Sequence, residues 1–574
     1  MGISNYINAV NKKSTPQSEQ ADPKQVENSA GGFSFEVDDW SRLDRFLILG
    51  AEGGTYYVKE QKLVAENAKC VERCLVQDGA RTVARISDIS MSGRAPKNTP
   101  AIFSLAMACA SPNEETRKLA FAAIPQVCRI GTHLFEFITA VRTMRGLGKG
   151  LAKAITRWYT ERTPDRLAYQ LVKYQQRAGM SHRDVLRLTR RHGARGDLHP
   201  CTEAALRWAV APKEKSERKV TRRTGKGDVE ASYTVSSDML PEILVAHDEI
   251  VSLDSSELKK AIKIVEEHKL THEMIPSHFL GKPEMWEALL PHMPVGAMVR
   301  NLGRMTANGL LKPMSSSVQR VVESLNAERI QKARLHPLQV LVALKTYEQG
   351  SGVKGSLSWN PDRQVIDALD SAFYMSFGNV ESTGKRTLLA LDVSGSMMSP
   401  PIAGMPGISP RIGSAAMAMV TARVEEWYHT VGFFAGSNGM KFGSNGGFWS
   451  GGDGITPLDI SPRQRLDDII KAVSNLSFGG TDCALPMLYA LERKLEVDTF
   501  VIYTDSETWA GTPHPHQALR EYRNKMGIPA RLVVVGMVSN GFTIADPNDP
   551  GQLDVVGFDT ATPNIISSFS KGEL

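Results

Sequence analysis

The spacing of apolar residues changes near residue 375, and this change constrains the fold more than any other feature of the sequence. From about Trp40 to Asp370, apolar residues recur at intervals of three and four, as in ELKKAIKIVEEHKL and HPLQVLVALKTYEQG. That spacing is typical of amphipathic helices, and short Gly, Pro or Asn breaks separate the segments. Because no long hydrophobic strand lies among them, the region is predicted to form an α-solenoid or a bundle of helix pairs.

Short apolar runs of β type replace this pattern after residue 375. The runs RTLLALD, TVGFFA, DTFVIYTD and RLVVVGM alternate with helix-like stretches such as AAMAMVTARVEEW and RLDDIIKAVSNL. Strands that alternate with helices predict a parallel sheet of the doubly wound α/β class. Ligands of such sheets bind beyond the carboxyl ends of the strands, and Asp392 and Asp505 stand at two of these ends.

Oxygen-bearing side chains at three separated places would meet at this edge of the sheet. They follow the first strand, lie in the turn FGGTDC and end the strand VIYTD, and they are Asp392, Ser394, Ser396, Thr481 and Asp505. An all-oxygen set suits Mg²⁺ or Mn²⁺ and suits zinc poorly. The sequence therefore predicts one divalent cation, Mg²⁺ in the first instance, at a solvent-exposed rim. The alternative is that Ser394 and Ser396 only cap the helix that follows.

This pattern resembles the von Willebrand factor A domain with its metal-ion-dependent adhesion site (MIDAS). The resemblance implies that the serines and the threonine bind the ion directly, that the acids often act through water, and that one position is open to a partner's oxygen. A hydrolytic enzyme is not favoured, because the sequence shows no evident general base and VSGSM lacks the glycines that flank a nucleophilic serine. We therefore expect a binding protein without catalytic residues.

Basic residues are concentrated between Arg142 and Arg195. This stretch holds fourteen Lys or Arg and three acids, whereas the whole chain has a net charge of only +6. Lys149, Lys153 and Arg157 recur every four residues and predict a positive stripe on one amphipathic helix. Several such helices in succession favour a polyanionic partner, most commonly nucleic acid, over an ordinary solvated face.

Further segments resemble the Ro ribonucleoprotein autoantigen family, whose helical module is called TROVE. They include FLILGAEGGTYYVKEQKL, VCRIGTHLFEFI, ARLHPLQVLVALKTY, GGTDCALPM and MVSNGFTIADP. The resemblance implies a mainly α fold, in which a ring of HEAT-like helical repeats is closed by the A domain. It also implies binding of Y-like noncoding RNA on the outer basic surface and of single-stranded 3′ ends of misfolded RNA in a central hole, for RNA quality control and stress survival.

The predicted RNA-binding residues come partly from the positive stripe and partly from the resemblance. The family's RNA contacts fall on Lys173 and Arg177 in VKYQQRAGMSHRD. Arg190 stands where a family histidine is expected, which keeps the positive charge but puts that contact in question. The complete set is Lys149, Lys153, Lys173, Arg177, His182, Arg187 and Arg190.

Three regions follow from these patterns. Residues 1–35 are polar and without periodicity, so we expect a mobile N-terminal tail. Residues 36–370 are predicted to form the TROVE helical-repeat RNA-binding domain, and residues 371–574 the A-like domain. The charged stretch 213–230 is expected to be an exposed loop or insertion, and the glycine-rich tract 435–454 a long mobile surface loop.

Composition bears on the compartment and on the partners. The six cysteines are scattered and fit neither a zinc ribbon nor a redox pair, which favours a reducing compartment. Because the sequence shows no signal peptide and no apolar spanning run, we expect a cytoplasmic protein with no membrane partner. We also expect a monomer. The alternatives to an RNA-binding scaffold are a metal-dependent protein-adhesion module without RNA specificity and a metal-dependent nuclease. Whether an exoribonuclease is recruited as a partner is left open.

Overall fold

The computed structural model describes residues 14–50, 58–177, 179–189, 198–210, 217–224, 227–234, 239–352, 356–378, 380–435, 454–474, 476 and 479–574. Arg190 and most of the glycine-rich tract 435–454, both singled out from the sequence, lie outside these residues. Within the described chain, no helix is both long and apolar enough to cross a membrane.

Helices dominate the first two thirds of the chain, as predicted. They are Asp39–Leu49 (α1), Glu60–Gln77 (α2), Gly79–Ser92 (α3), Thr99–Ala110 (α4), Glu114–Val127 (α5), Gly131–Met144 (α6), Lys149–Thr160 (α7), Pro164–Lys173 (α8), His182–Thr189 (α9), Pro200–Val210 (α10), Glu242–Ser252 (α11), Leu258–His268 (α12), Pro283–Leu289 (α13), Val295–Ala307 (α14), Ser316–Ser324 (α15), Ala327–Ala333 (α16), Pro337–Glu348 (α17) and Arg363–Met375 (α18). Short 3₁₀ turns lie at His272–Met274, Phe279–Gly281 and Leu290–His292.

The C-terminal part alternates strands and helices. Its helices are Pro410–Val424 (α19), Leu466–Ser474 (α20), Leu485–Glu492 (α21), Pro515–Met526 (α22) and Thr562–Lys571 (α23). The strands of the chain are Gln25–Glu27 (β1), Phe33–Glu36 (β2), Gln176–Arg177 (β3), Met180–Ser181 (β4), Glu217–Thr224 (β5), Gly227–Thr234 (β6), Thr387–Asp392 (β7), Tyr428–Phe433 (β8), Ile455–Pro457 (β9), Thr499–Thr504 (β10), Arg531–Gly536 (β11), Phe542–Thr543 (β12) and Gln552–Val556 (β13).

Most helices of the N-terminal region pack on helices one and two places along the chain. Helix α3 packs on α5, α4 on α6, α5 on α7, α7 on α9 and α8 on α10. This is the packing of stacked helix pairs, in which every pair buries its apolar face against the next pair. In α7 the buried face carries Leu151, Ile155 and Trp158, in agreement with the predicted amphipathic pattern.

The helical region closes on itself beside the C-terminal domain, which confirms the predicted ring. The side-chain amide of Gln339, on α17, donates to the carbonyl of Pro96 at 2.7 Å. Nearby, Arg94 forms an ion pair with the buried carboxylate of Asp559 at 2.5 Å. From the other end, Asp370 on α18 accepts a hydrogen bond from the amide of Leu466 at 3.0 Å. The segment between α3 and α4 therefore contacts α17, and both ends of the helical region contact the same domain.

The sheet of the C-terminal domain has the strand order β13-β11-β10-β7-β8-β9, and all of its pairs except β8–β9 are parallel. Strands β7 and β10 are central and wholly buried, which explains their continuous apolar sequences. The predicted α/β domain is confirmed. The predicted boundary between residues 370 and 371 falls inside α18, so the transition lies between Met375 and Thr387 instead.

The prediction of a mobile tail is wrong for residues 14–35. Strand β2 pairs with β1 and with β12 of the C-terminal domain, so the segment belongs to a small sheet at the surface of that domain. Gln17 is fully buried and donates to a carboxylate oxygen of Asp482 at 2.7 Å. Gly32 approaches Thr508 so closely that a Cβ would lie 2.1 Å from the carbonyl oxygen. The segment has no periodicity because single buried side chains, the polar Gln17 and the apolar Phe35 among them, attach it rather than a continuous apolar face.

The expected loop at 213–230 is also different in the structure. Strands β5 and β6 pair in antiparallel register from Glu217 opposite Thr234 to Thr224 opposite Gly227. The stretch therefore forms most of a β-hairpin. Val220 is the single apolar residue of β5, so no apolar alternation marks this strand in the sequence.

Candidate functional site

The DxSxS stretch lies where β7 ends, at the carboxyl edge of the sheet. The amide of Ser394 donates to Asp392 Oδ1 at 2.9 Å, and the hydroxyls of Ser394 and Ser396 lie 3.0 Å apart. A 3₁₀ turn, Gly395–Met398, follows, and the Ser394 side chain makes no capping hydrogen bond to it. The helix-cap alternative is therefore not supported for Ser394. The two hydroxyls face each other and form one polar cluster.

Asp505 joins this cluster from the neighbouring strand, as the sequence predicted. It follows Thr504, the last residue of β10, whose hydroxyl donates to Asp392 Oδ2 at 2.7 Å. The Ser396 hydroxyl lies near the Asp505 carboxylate and opposes the rise in the pKa of Asp505. The end of β7 and the end of β10 thus hold two acids and two serines together, since adjacent parallel strands end at the same edge.

Thr481 completes the predicted set from the loop between α20 and α21. Its carbonyl accepts hydrogen bonds from the amides of Trp509 and Ala510, both at 3.1 Å, which tie this loop to the one that follows Asp505. Its hydroxyl oxygen is buried and has no hydrogen-bond partner among the described residues. A buried hydroxyl without a partner costs about 1–3 kcal/mol, so this position fits a ligand that supplies the missing contact.

The electrostatics of the cluster also fit a cation. Burial, together with the negative charge of Asp505, raises the pKa of Asp392 to about 7. Burial likewise raises the pKa of Asp505. Two buried carboxylates side by side are unfavourable when both are ionised, and a divalent cation between them removes that penalty.

The expectation of a solvent-exposed rim is wrong for these side chains. Asp392, Ser394, Ser396, Thr481 and Asp505 are between 0% and 3% exposed. Backbone hydrogen bonds hold the surrounding loops together. The amide of Gly395 donates to the carbonyl of Gly479, and the amide of Ala435 donates to the carbonyl of Gly480. Sequence reasoning placed the residues on loops correctly but gave no measure of how closely those loops pack.

Sequence reasoning missed a buried acid beside this cluster, Glu507. It is fully buried, and burial together with the charge of Asp505 raises the pKa of Glu507 to about 8. The signal was present in TDSET, where a second acid follows Asp505 at the next alternate position.

The basic surface forms a second candidate site, on the helical region. Lys149 and Lys153 are exposed on α7, opposite its buried apolar face. Arg177, in the short β3–β4 hairpin, and Arg187, on α9, are exposed as well. These four predicted cations are therefore available to a partner, and they lie on neighbouring elements since α7 packs on α9.

Lys173 and His182 do not lie on this exposed surface, contrary to the prediction. Lys173 is 8% exposed, forms an ion pair with Glu273 at 3.7 Å and donates to the Tyr169 hydroxyl at 2.9 Å. His182 is 3% exposed and bonds the Tyr159 hydroxyl at 2.9 Å. Burial lowers the pKa of His182 to about 4, so the ring is neutral near pH 7. Both side chains serve the packing of the helices.

A cavity of about 950 Å³ opens beside α8, α11 and α12. Its basic lining residues are Arg129, Arg157, Arg162, Arg166, His268 and Lys269, and its acidic ones are Glu161, Asp165, Glu242 and Glu267. The guanidinium of Arg162 lies 3.7 Å from the centre of the Trp158 ring. Tyr169 also lines the cavity. Cationic and aromatic groups together can hold a flexible anionic chain.

Comparisons with known proteins agree over the whole chain. The model of the TROVE domain matches residues 26–346, and that of the Ro60 vWA domain matches residues 386–570. RNA-binding protein RO60 of Deinococcus radiodurans is 37% identical, with 100% of both chains covered. RNA-binding protein RO60 of Caenorhabditis elegans is 34% identical over 98% of this chain and 92% of that one. The crystal structure of the Deinococcus radiodurans RO (RSR) protein matches with a TM-score of 0.65 and 35% identity, over 94% of this chain and 100% of that one.

Proposed function

The chain belongs to the Ro60 family of TROVE-domain proteins, and on that premise we propose that it is an RNA-binding scaffold of a small ribonucleoprotein. The observation that carries the proposal is the exposure of Lys149, Lys153, Arg177 and Arg187 on adjoining elements of the helical ring. Phosphate contacts from exposed Lys and Arg supply much of the affinity of such proteins for RNA. The names of the full-length relatives support the same assignment.

The RNA on this outer surface is a Y-like noncoding RNA, and its folded stem is held through phosphates and shape. A second RNA mode is the single-stranded 3′ end of a misfolded RNA in the centre of the ring. The cavity with Arg129, Arg162, Arg166 and Tyr169 supports this mode, because single strands are held by charge and by stacking on aromatic rings. The two modes together suit RNA quality control and stress survival in the cytoplasm, with an exoribonuclease as a further candidate partner.

The C-terminal domain would hold one divalent cation, Mg²⁺ or alternatively Mn²⁺. The hydroxyls of Ser394, Ser396 and Thr481 would bind it directly, and the carboxylates of Asp392 and Asp505 directly or through water. The unpartnered Thr481 hydroxyl and the two adjacent buried acids support this assignment. Bound there, the cation would supply positive charge and one position for an oxygen of a partner. No catalytic role is proposed.

Salt dependence of RNA binding distinguishes the scaffold from the alternative, a metal-dependent protein-adhesion module without RNA specificity. A Y-like stem-loop should bind the full chain with an affinity that falls steeply between 50 and 200 mM salt, because each phosphate contact releases counterions. Filter binding at several salt concentrations, with and without a chelator, measures this. If no RNA binds even at the lowest salt, the adhesion module becomes the better assignment.

A further inference from the structure

A second cavity of the helical region, of about 590 Å³, is lined by two arginines, Arg117 and Arg145. It lies where the end of α4, the first turn of α5 and the turn between α6 and α7 meet. Its other lining residues are Ala110, Ser111, Pro112, Gly146, Leu147 and Gly148. Among the described residues that line it, none is acidic, whereas the cavity of about 950 Å³ carries four acids beside its cations. We refer to it as the arginine cavity.

Both arginines are fixed at the carboxyl end of α4. Arg145 donates through Nη1 to the carbonyl of Cys109. Arg117 donates through Nη1 to the carbonyl of Ser111 at 2.8 Å and to that of Pro112 at 2.6 Å. The carbonyls that hold the two side chains lie close together in the chain, so the two guanidinium groups converge on the same cavity.

Capping of α4 does not account for all of this positive charge. The carboxyl end of a helix carries about half a negative charge, so two guanidinium groups leave an excess of about one and a half positive charges. In the described part of the chain, neither Arg117 nor Arg145 lies within ion-pair distance of a carboxylate. A guanidinium also carries donors on Nε and Nη2, which the capping contacts do not use. Charge and donors are therefore left over at the cavity wall.

The turn between α6 and α7 brings backbone close to one of these guanidinium groups. A Cβ added at Gly148 would lie 3.8 Å from Arg145 Nη2, and one added at Gly146 would have no atom within 4 Å. No side chain of these two glycines narrows the cavity. Arginine donors match the oxygens of a phosphate group in pairs, so a phosphate suits this arrangement of charge and space.

The arginine cavity adjoins the positive stripe of α7. Gly148, which lines it, directly precedes Lys149, the first residue of α7. Lys149 and Lys153 are exposed, and so is Arg142 in the last turn of α6. An RNA chain that follows the stripe toward the amino end of α7 therefore reaches the cavity.

We propose that the arginine cavity binds a phosphate group of the RNA, held by the guanidinium groups of Arg117 and Arg145. This inference rests on the proposed function of the chain as an RNA-binding scaffold, and it adds an enclosed phosphate site to the exposed lysines of that surface. An internal phosphodiester and a terminal 5′-phosphate present the same kind of oxygens. The shared ligand chemistry is a phosphate group, and the test separates the two sources.

The test adds a negative charge to the cavity and leaves both capping arginines in place. Gly146→Asp puts a carboxylate where an added Cβ has open space, and Gly146→Asn has the same shape without the charge. The full-length variants are compared by filter binding of a Y-like stem-loop at several salt concentrations. The slope of log affinity against log salt should be shallower by about 0.7–0.9 for Gly146→Asp than for Gly146→Asn, which is the contribution of one phosphate contact.

That slope also sets the expected loss of affinity. A contribution of about 0.7–0.9 corresponds to about fivefold to eightfold in affinity between 1 M and 100 mM salt. Gly146→Asp should therefore bind the stem-loop more weakly than Gly146→Asn by about this factor at 100 mM salt.

Gly281→Asp is the matched control, because it adds the same charge elsewhere. Gly281 is exposed, lies outside the arginine cavity and the basic stretch, and has no atom within 4 Å of an added Cβ. This variant should bind the stem-loop like the wild type. A loss as large as that of Gly146→Asp would overturn the inference, since total charge would then explain both.

The remaining outcomes separate the inference from the function it rests on. If the wild type binds no RNA even at the lowest salt, the RNA-binding scaffold is refuted, and the inference with it. If the wild type binds and the two Gly146 variants bind equally well, only the phosphate site is refuted. Stem-loops with a 5′-phosphate and with a 5′-hydroxyl distinguish the sources. A loss with both RNAs assigns the cavity to an internal phosphodiester, and a loss confined to the phosphorylated RNA assigns it to the chain end.

Discussion

Two Arg–Asp ion pairs, each with one member on helix α1, have the same closest distance and different burial. Arg45 and Asp554 are joined at 2.6 Å with side chains 1% and 15% exposed, and they connect the helical ring to the C-terminal domain. Arg73 and Asp39 are also joined at 2.6 Å, but their side chains are 49% and 29% exposed. We expect Arg45→Ala to be far more destabilising than Arg73→Ala.

The size of the difference follows from what each substitution leaves behind. Arg45→Ala leaves a largely buried Asp554 carboxylate and the carbonyls of Asn540 and Phe542 without their donor, which should cost about 3–5 kcal/mol. Arg73→Ala leaves a carboxylate that water can reach, and exposed pairs contribute about 0.2–1 kcal/mol. Burial therefore predicts a difference of at least about 2 kcal/mol between the two variants.

Urea denaturation followed by fluorescence measures both free energies of unfolding, and the double variant Arg45→Met/Asp554→Leu completes the comparison. Removing both charges should recover much of the stability, because the cost comes mainly from the unpaired acid. Equal effects of Arg45→Ala and Arg73→Ala would refute the argument, since they would show that burial of the first pair has no energetic consequence.

Two further predictions concern the cation site and the centre of the ring. Thr481→Val removes the unpartnered hydroxyl but keeps the volume of the side chain, so the cation affinity measured by calorimetry should fall. In a chelator the free energy of unfolding should stay the same or rise. A loss of stability in the chelator would show that the hydroxyl has a protein partner. A hairpin RNA with a single-stranded 3′ overhang should bind more tightly in an electrophoretic shift assay than the same hairpin with a blunt end. The reason is that a duplex is wider than a single strand and its bases are not free to stack on side chains. Equal affinities would argue against binding in the central hole.

The sequence predicted the parts of the molecule that depend on local pattern. The helical periodicity predicted the helices of the ring. The short apolar strands predicted the sheet, with Asp392 and Asp505 at the carboxyl ends of two of its strands. The N-terminal segment was missed because its contacts are not local, since Gln17 meets Asp482 across 465 residues of chain. Polar attachment of this kind leaves no apolar period to detect.

Two of the residues predicted for the basic surface, Lys173 and His182, are buried for a different reason. A count of charges finds a basic stretch but does not give the rotation of each helix about its axis. Lys173 therefore lies inward beside Tyr169, and His182 contacts the aromatic side chains of Trp158 and Phe135. Glu507 was missed because its burial depends on Asn540, which a separate loop supplies.

The salt dependence of RNA binding by Lys149→Ala/Lys153→Ala tests the central claim most directly. Both lysines are exposed on α7, so the variant should bind a Y-like stem-loop more weakly. The slope of log affinity against log salt should be shallower by about 0.7–0.9 for each phosphate group that the variant no longer binds. Lys62→Ala/Lys118→Ala, which removes the same charge from exposed lysines outside the basic stretch, should keep the wild-type slope. If both double variants keep that slope, the RNA does not bind on the basic surface.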